Sequence, residues 1–379
     1  MKRYHFEKLT PICPVCMANN VESPLMLGPV LVERGSEKGE QLGDIIEGVL
    51  LCKNSACLRE YPIIDGIPII IADLRSYIAN SVTAIDARDD LTPFTESLIC
   101  DAAGPASDYE TRRQHLSSYT WDHYADLDPD EPSAPFKPGA VVKALEDGLQ
   151  SAQPLTRDGL TIDVGCSVGR TTFELASQTE SSLVLGVDLN FSMLRTASRV
   201  LRENEVRYPR RRVGMVYDRR EFGVEFPDSA RVDFWACDAT ALPFRESTFE
   251  LAVGMNVLDC VSSPHDFFRS IARVLTPNGK SVISCPYDWS PAATPVENWL
   301  GGHSQRSITR GDSAATIKQL FASNSGLPLT LDSVGEAPLW HVRLHDRSTM
   351  TYQNHRLTLS KQTASGQGEV QPDLSEALA

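Results

Sequence analysis

A strand-like run ends in a glycine-rich turn within residues 161–176, which read TIDVGCSVGRTTFELA. Asp163 closes the apolar run, Gly165, Ser167 and Gly169 follow at alternate positions, and a helix-like segment comes next. Such a turn offers backbone N–H groups and a helix N-terminus to a ligand, and glycine permits close approach. A dinucleotide site would need G-x-G-x-x-G, and an acid that opens the turn would repel a pyrophosphate. The pattern therefore favours a cationic or amine-bearing ligand.

Two more acids stand where later strands are expected to end. Asp188 closes the apolar run LVLGVD, and Asp238 follows VDFWAC. Ligands of open α/β sheets bind outside the carboxyl ends of the strands, so three acids at such ends predict one shared site. The alternative, three unrelated strand-end acids, stays open at this point.

Four of the nine cysteines have the spacing of metal ligands. Cys13 and Cys16 form C-x2-C, and Cys52 and Cys57 form C-x4-C. Two cysteine pairs on turns can supply the four thiolates of a tetrahedral zinc site. We therefore predict zinc at these four residues, with ordinary thiols at chance spacing as the alternative.

Composition limits the class of protein. The chain has 379 residues, 23% of them charged, and a net charge of −14, which argues against a general nucleic-acid binder. The N-terminus MKRYHFEKLT has no apolar signal-peptide core, and the apolar runs fall short of the ~20 residues that span a bilayer. We expect a cytoplasmic protein without membrane contact, whose cysteines do not form disulfides.

Strand-like and helix-like segments alternate from about residue 140, which predicts an α/β fold with a parallel sheet covered by helices. Asn190 is expected to cap the helix after the second strand. Ser263 is expected to cap a later helix, with Pro264 at its first position and Asp266 completing a capping box. The predicted strands are LTIDVG, LVLGVD, VDFWAC, FELAVGMNV and KSVISCP.

The turn and the downstream acids resemble the motifs of class I S-adenosylmethionine-dependent methyltransferases, with Ser167 in place of the middle glycine of motif I. The resemblance implies a Rossmann-like, seven-stranded sheet and S-adenosylmethionine as methyl donor. It also implies that Asp188 accepts the ribose hydroxyls and that Asp238 accepts the adenine amino group. The implied cofactor-binding residues are Asp163, Gly165, Ser167, Gly169, Asp188, Leu189, Asp238, Ala239 and Asn256.

The cysteine pairs and the following YPIIDGIPIII resemble the small zinc-ribbon proteins that bind and activate methyltransferases, over about residues 8–75. The resemblance implies an N-terminal zinc-ribbon domain of small β structure. A site closed by four thiolates leaves zinc no open position, so folding or docking to a protein partner is expected rather than catalysis. The polar stretch ERGSEKGEQLGD between the pairs is predicted to be a surface loop.

A narrower resemblance covers about residues 115–305. DVGCSVGRTTFELA, NVLDCVSSPHDFFRSIARVLTPNGK and SCPYDWSPAATPVENWLGG together resemble the C-terminal methyltransferase domain of ovothiol synthase, which methylates an imidazole nitrogen of a mercaptohistidine. The sulfoxide synthase domain of that enzyme has no counterpart here, and a zinc ribbon stands in its place. We therefore expect another small molecule or a peptide as substrate, with an imidazole or amine nitrogen as acceptor.

Methyl transfer needs alignment, and a proton acceptor when the nucleophile is protonated. Asp259, Tyr287 and His345 are the candidate catalytic residues. Candidate substrate-binding residues are Tyr124, Trp289 and Arg343. Alternation in HVRLHDR (341–347) predicts a strand face that could hold a carboxylate-bearing substrate, with a solvated hairpin as the alternative.

The predicted organisation is a zinc ribbon (1–75), a helical linker and cofactor lid (76–138), a methyltransferase domain (139–362) and a disordered tail (363–379). In YTWDHYAD (119–126), aromatic side chains are expected to cover the cofactor or to pack a helix onto the sheet. The arginine-rich residues 207–220 are expected to form a solvated loop, or to receive an anionic substrate or partner.

Three functions compete on the sequence alone: a methyltransferase of small molecules or peptides, an RNA or translation-factor methyltransferase, and a non-catalytic activator with a methyltransferase fold. Intact acids at three strand ends favour an enzyme, and the acidic composition disfavours an RNA substrate.

Overall fold

The structure is a computed structural model that describes residues 1–35, 43–132, 135–155, 158–322 and 326–362. Part of the predicted surface loop (36–42) and the predicted tail (363–379) lie outside these ranges. The helices are α1 (Arg3–Leu9), α2 (Pro14–Ala18), α3 (Leu74–Ile85), α4 (Pro93–Ala103), α5 (Asp108–Tyr124), α6 (Ala140–Ser151), α7 (Arg170–Gln178), α8 (Phe191–Glu203), α9 (Pro264–Val274) and α10 (Ser313–Ala322). The strands are β1 (Leu25–Arg34), β2 (Asp44–Cys52), β3 (Glu60–Ile64), β4 (Ile67–Ile70), β5 (Leu160–Val164), β6 (Leu183–Asp188), β7 (Glu205–Val213), β8 (Val216–Gly223), β9 (Val232–Cys237), β10 (Phe249–Met255), β11 (Leu275–Cys285), β12 (Leu329–Glu336), β13 (Trp340–His345), β14 (Ser348–Tyr352) and β15 (His355–Lys361). Within the described ranges, every helix is too short or too polar to cross a lipid bilayer.

One mixed sheet lies at the centre, with the strand order β1-β2-β3-β4-β9-β6-β5-β10-β11-β15-β12. From β4 to β11 in this order, neighbouring strands are parallel, and β15 and β12 add two antiparallel pairings at one edge. The five predicted strands are β5, β6, β9, β10 and β11, so the predicted parallel α/β sheet is confirmed. Chain order reverses between β5 and β10, and ligands of such sheets bind at this reversal.

The sheet has eleven described strands rather than the expected seven, because β1 to β4 continue it at the β9 edge. In the joining pair, Ile69 lies opposite Ala236 in parallel register. An ion pair between Asp44 and Arg202 (2.7 Å) also links β2 to α8. The N-terminal strands and the parallel strands therefore share one hydrogen-bonded sheet.

Alternate residues of the buried strands fill two cores, one on each face of the sheet. In β9, Phe234 packs edge-on against Phe173 of α7 (ring centroids 5.5 Å apart), whereas Trp235 stacks near Phe244 (6.0 Å) in the other core. All six residues of β9 are buried, which explains why its sequence, VDFWAC, is apolar except for Asp233.

The predicted helix starts are confirmed. The side chain of Asn190 accepts hydrogen bonds from the backbone N–H groups of Ser192 (3.1 Å) and Met193 (3.3 Å) at the start of α8. The hydroxyl of Ser263 accepts from the backbone N–H of Asp266 (3.2 Å) at the start of α9. These caps satisfy backbone donors that the first helical turn leaves unpaired.

Helix α5 packs against two hairpins that lie outside the main sheet, β7–β8 and β13–β14. The hydroxyl of Ser117 accepts from the backbone N–H of Arg211 (2.8 Å), and the hydroxyl of Ser118 donates to the backbone carbonyl of Arg343 (2.8 Å). The two hairpins therefore hold α5 in place over the carboxyl ends of the parallel strands.

Candidate functional site

The turn between β5 and α7 has three residues in the left-handed backbone region: Gly165 (φ 78°), Ser167 (φ 53°) and Gly169 (φ 91°). A Cβ on Gly165 would lie 2.5 Å from a methyl of Val257, so this position also needs glycine for space. Ser167 tolerates the conformation that a middle glycine would adopt more easily.

Asp188 ends β6 beside this turn. Its carboxylate accepts hydrogen bonds from the backbone N–H groups of Ser167 (2.9 Å) and Asn190 (2.7 Å). Burial raises the pKa of Asp188, and the two backbone donors oppose that rise. The acid therefore bridges the first and second strand ends, as expected for one shared site.

A cavity of about 590 Å³ lies at the carboxyl ends of β5, β6, β9 and β10. Seven of the nine residues predicted to bind the cofactor line it: Gly165, Ser167, Asp188, Leu189, Asp238, Ala239 and Asn256. Most of the wall is apolar, with the acids concentrated at the strand ends. The structure thus brings together two of the three strand-end acids, Asp188 and Asp238.

Asp163 and Gly169 are not part of this wall. One carboxylate oxygen of Asp163 accepts from the hydroxyls of Thr171 (2.6 Å) and Thr172 (2.7 Å), while the other oxygen is buried without a partner in the described structure. Burial raises the pKa of Asp163 to about 6. In this structure Asp163 does not face the cavity, because its side chain is buried against the two threonines and joins the start of α7 to β5.

Helix α5 forms one wall of the cavity, and the sequence predicted only its aromatic residues as a possible cover. His115, Tyr119, Asp122 and His123 line the cavity at helical spacing. Tyr119 belongs to the predicted lid, but Tyr124 does not reach the cavity, since its buried hydroxyl donates to the backbone carbonyl of Val168 (2.8 Å). The three- and four-residue spacing of the polar residues was the signal that could have identified this face.

Asp122 is a buried acid at the cavity, 2% exposed. It accepts from the indole N–H of Trp340 (2.8 Å), which also lines the cavity, and from the backbone N–H of Ala140 (3.1 Å). Burial raises the pKa of Asp122 to about 7. Burial, and then the charge of Arg170, lower the pKa of the neighbouring His123 to about 3, so this imidazole is neutral.

Asn256 follows β10 on the cavity wall with a left-handed backbone (φ 56°). Its side-chain oxygen accepts from the hydroxyl of Ser284 (2.7 Å) and from the amide of Asn354 (2.9 Å). These bonds tie the end of β10 to β11 and to the segment before β15.

Asp259, Tyr287 and Trp289 do not line the cavity. Asp259 accepts from the backbone N–H of Asp288 (2.6 Å), and burial raises its pKa. The ring of Tyr287 stands edge-on to His355 (5.5 Å), and the indole N–H of Trp289 donates to a serine hydroxyl on α10. Cys260, the neighbour of Asp259, does line the cavity.

His345 and Arg343 are also placed away from the cavity. Arg343 is 5% exposed, and its guanidinium donates to the backbone carbonyl of Arg211 (2.7 Å) and to Asp346. The expected substrate-facing row is interrupted, because β13 ends at His345 and the chain turns at residues 346–347. Trp340 is the residue of this hairpin that reaches the cavity.

The arginine-rich stretch forms the hairpin β7–β8 rather than a solvated loop. Its arginines pair with acids of neighbouring segments, as in Arg210–Glu131 (3.1 Å), Arg219–Glu96 (2.8 Å) and Arg220–Asp128 (2.5 Å). The prediction of a solvated loop was therefore wrong, since these cations brace the hairpin against α4, α5 and the segment after α5.

The four cysteines of the two pairs converge near β2 and β3. The four Sγ atoms lie within 4.8 Å of one another, with Cys13–Cys57 at 3.8 Å and Cys16–Cys52 at 3.6 Å. A tetrahedral zinc with bonds of about 2.3 Å separates its sulfurs by about 3.8 Å, so this donor set fits zinc. The hydroxyls of Ser23 and Tyr61 lie 3.2 Å and 3.1 Å from Cys52 and Cys13 sulfurs, where they can donate to thiolates.

Comparison with known proteins bears on this site. Residues 162–283, which include the turn, Asp188, Asp238 and Asn256, match the family model described as a methyltransferase domain. No protein of curated function matches the chain in sequence.

Three solved structures are similar in part. The YcgJ protein of Bacillus subtilis shares 16% identity, with 58% of this chain and 98% of that one covered and a TM-score of 0.37. Phosphoethanolamine N-methyltransferase 2 of Haemonchus contortus, solved with S-adenosyl-L-methionine, shares 14% (73% and 62% covered, TM-score 0.40). The complex of the Haloferax volcanii Trm112 methyltransferase activator with a methyltransferase shares 15% (73% and 99% covered, TM-score 0.37).

At such TM-scores, none of these three likenesses identifies a substrate or a partner for this chain. The family match places a methyltransferase domain over β5 to β11, the segment that supplies most of the residues lining the cavity. The predicted class of enzyme, an S-adenosylmethionine-dependent methyltransferase, is thereby confirmed.

Proposed function

We propose that this enzyme transfers the methyl group of S-adenosylmethionine to a nitrogen of a small molecule or peptide, such as an imidazole or amine nitrogen. The observation that carries the proposal is the cavity at the strand ends, with the carboxylate of Asp188 bonded across to the turn at Ser167. The narrower resemblance to the ovothiol synthase methyltransferase domain supports nitrogen as the acceptor atom.

Asp188 and Asp238 are the residues we assign to the adenosine part of the donor. Asp188 uses two of its roughly four lone-pair sites on backbone N–H groups, which leaves capacity for two ribose hydroxyls. Leu189 and Ala239 offer apolar surface beside these acids for the adenine ring. The backbone N–H groups of Gly165, Cys166, Ser167 and Gly169 already donate to oxygens of this chain, so we do not assign them to the donor carboxylate.

S-adenosylmethionine supplies a methyl group on a positively charged sulfur. Around or behind the cavity, Asp122 and Asp163 are buried and Asp188 is half-buried, and in their ionised form these acids favour a cationic ligand over a neutral one. The neutral imidazole of His123 adds no opposing positive charge.

We assign Asp259 and Tyr287 as positioning residues. Asp259 lies between the lining residues Val257 and Cys260 and accepts from the backbone N–H of Asp288, the neighbour of Tyr287, while neither acid nor phenol lines the cavity. His345, Trp289, Arg343 and Tyr124 stay predictions from sequence, and their placement away from the cavity gives them no direct role in the proposal.

We further propose that residues 1–75 form a zinc-holding unit with Cys13, Cys16, Cys52 and Cys57 as ligands. Four sulfurs at tetrahedral spacing leave zinc no open coordination position, so its contribution is structural. In this proposal residues 76–138 form the helical linker and lid, and residues 139–362 the methyltransferase domain.

Calorimetry followed by methyl transfer tests the function. We expect purified protein to bind S-adenosylhomocysteine, and to transfer labelled methyl groups from S-adenosylmethionine to imidazole- or amine-bearing compounds in preference to transfer RNA. Absence of binding at millimolar donor would remove the proposed site, and transfer to RNA alone would replace the proposed substrate class.

A further inference from the structure

A second, small cavity of about 120 Å³ lies between α5, α8 and the β7–β8 hairpin, and it shares no lining residue with the donor cavity. Among the described residues, its wall carries seven arginines and two acids, Asp89 and Glu96. We call it the arginine cavity. Such a concentration of positive charge is unexpected in a chain with a net charge of −14.

Most of these arginines are already neutralised by acids of the chain. For example, Arg219 pairs with Glu96 (2.8 Å) and Arg199 pairs with Asp89. Arginines with a carboxylate partner are Arg88, Arg195, Arg199, Arg207 and Arg219.

Arg112 and Arg113 differ from the other five. Each donates from Nη1 to a backbone carbonyl, of Thr83 and Glu96 respectively, at 3.0 Å. Within the described part of the chain, neither has a carboxylate at ion-pair distance. Arg113 is 8% exposed, and its buried Nε has no hydrogen-bond partner in the described structure.

The surroundings of these two cations do not replace an anion. The guanidinium of Arg113 lies over the ring of Tyr217, 4.5 Å from its centroid, which compensates a buried cation less than a carboxylate would. Burial, and the nearby charges of Arg195 and Arg113, lower the pKa of Arg112. Burying a charge costs free energy unless the charge is paired, so an anion bound in the cavity would stabilise these two arginines.

We propose that the arginine cavity binds a phosphate group, either free phosphate or the end of a phosphate monoester. Guanidinium groups present several N–H donors in a planar fork that suits oxyanions. A cavity of about 120 Å³ has room for one phosphate group.

Bound phosphate would hold α5 against α8, because Arg112 and Arg113 belong to α5 while Ser192 and Thr196 of the cavity wall belong to α8. Helix α5 also carries Tyr119 of the donor cavity. The site is independent of the methyl acceptor, and it does not rest on the proposed function.

The test is calorimetric titration of the full chain with inorganic phosphate, with chloride and acetate at equal ionic strength as reference anions. We expect saturable phosphate binding with a dissociation constant of about 1 mM or tighter. Arg112→Gln should weaken it by about tenfold or more, because a charge-assisted hydrogen bond is lost. Arg212→Gln is the matched control and should bind phosphate as wild type does, since it removes one charge from β7 at a side chain that is 55% exposed and outside the cavity wall.

Absence of saturable binding to the wild-type chain would overturn the proposal whatever the variants do. Equal binding by wild type and Arg112→Gln would also overturn it. A titration with glycerol phosphate distinguishes the source: tighter binding than inorganic phosphate indicates a monoester ligand, and weaker binding indicates the free anion.

Discussion

The carboxylate of Asp188 accepts a hydrogen bond from the backbone N–H of Ser167 at 2.9 Å. One residue ends β6, and the other lies in the turn after β5, so this bond joins two strand ends at the cavity floor. It fixes the orientation of the acid before any ligand arrives, which lowers the entropy cost of binding.

Replacing this acid should weaken donor binding strongly. We expect Asp188→Asn to weaken binding of S-adenosylhomocysteine by about tenfold or more, because hydrogen bonds to a charged acceptor contribute about 1.5–3 kcal/mol each. Calorimetry measures the change. Asp266→Asn, at a side chain 46% exposed on α9, is the control and should bind as wild type. Equal affinity of Asp188→Asn and wild type would exclude Asp188 from the donor site.

The four cysteines should hold zinc in the purified protein. We expect Cys16→Ser to lose the metal and to lower the unfolding midpoint by at least about 5 °C, since structural zinc contributes directly to folding. Elemental analysis and thermal unfolding are the measurements. Cys260→Ser changes an exposed thiol outside the cluster and should keep its zinc. Metal-free wild-type protein with an unchanged midpoint would contradict the zinc assignment.

The buried acid Asp122 should make stability depend on pH. Its folded pKa of about 7 lies above the value of about 4 for an exposed aspartate, so the folded state binds the proton more tightly. The contribution to stability is therefore full below about pH 4 and is lost as the pH rises through about 7.

The variant Asp122→Asn removes this titration and keeps an oxygen that can accept from Trp340. The free energy of unfolding of the variant minus that of the wild type should increase by more than about 1 kcal/mol from roughly pH 5 to pH 8. Urea unfolding across this range measures the difference, and the nearby histidines cancel because both proteins have them. Parallel pH curves would show that Asp122 does not titrate in this window.

The arginine-rich hairpin should be a structural brace. Arg220 pairs with Asp128, whose side chain is fully buried, whereas Arg212 is 55% exposed and its acids lie at 3.6 and 3.8 Å. Arg220→Gln should lower the free energy of unfolding by about 3 kcal/mol, because it leaves a buried charge unpaired. Arg212→Gln should change it by less than about 0.5 kcal/mol. Equal effects of the two variants in denaturant unfolding would indicate that burial of the pair does not matter.

Local sequence determined much of the framework. Largely apolar runs such as β9 predict buried parallel strands, and Asn190 and Ser263 cap their helices through contacts two or three residues away. The acids Asp188 and Asp238 come to one cavity because parallel strands end at the same edge of a sheet. The short spacing within each cysteine pair predicts that its two sulfurs lie close together, because Cys13 and Cys16, like Cys52 and Cys57, are separated by only a few residues.

Only the tertiary structure decided which polar side chains face the cavity and which are paired elsewhere. Arg343 alternates along a strand as a substrate-facing residue would, but its hairpin packs on β7, and Asp346 in the turn of the same hairpin neutralises it. Asp122 and Trp340 are more than two hundred residues apart, and no local pattern could have paired them. Sequence periodicity identifies the faces of an element, whereas the choice of neighbour for each face depends on the packing of the whole chain.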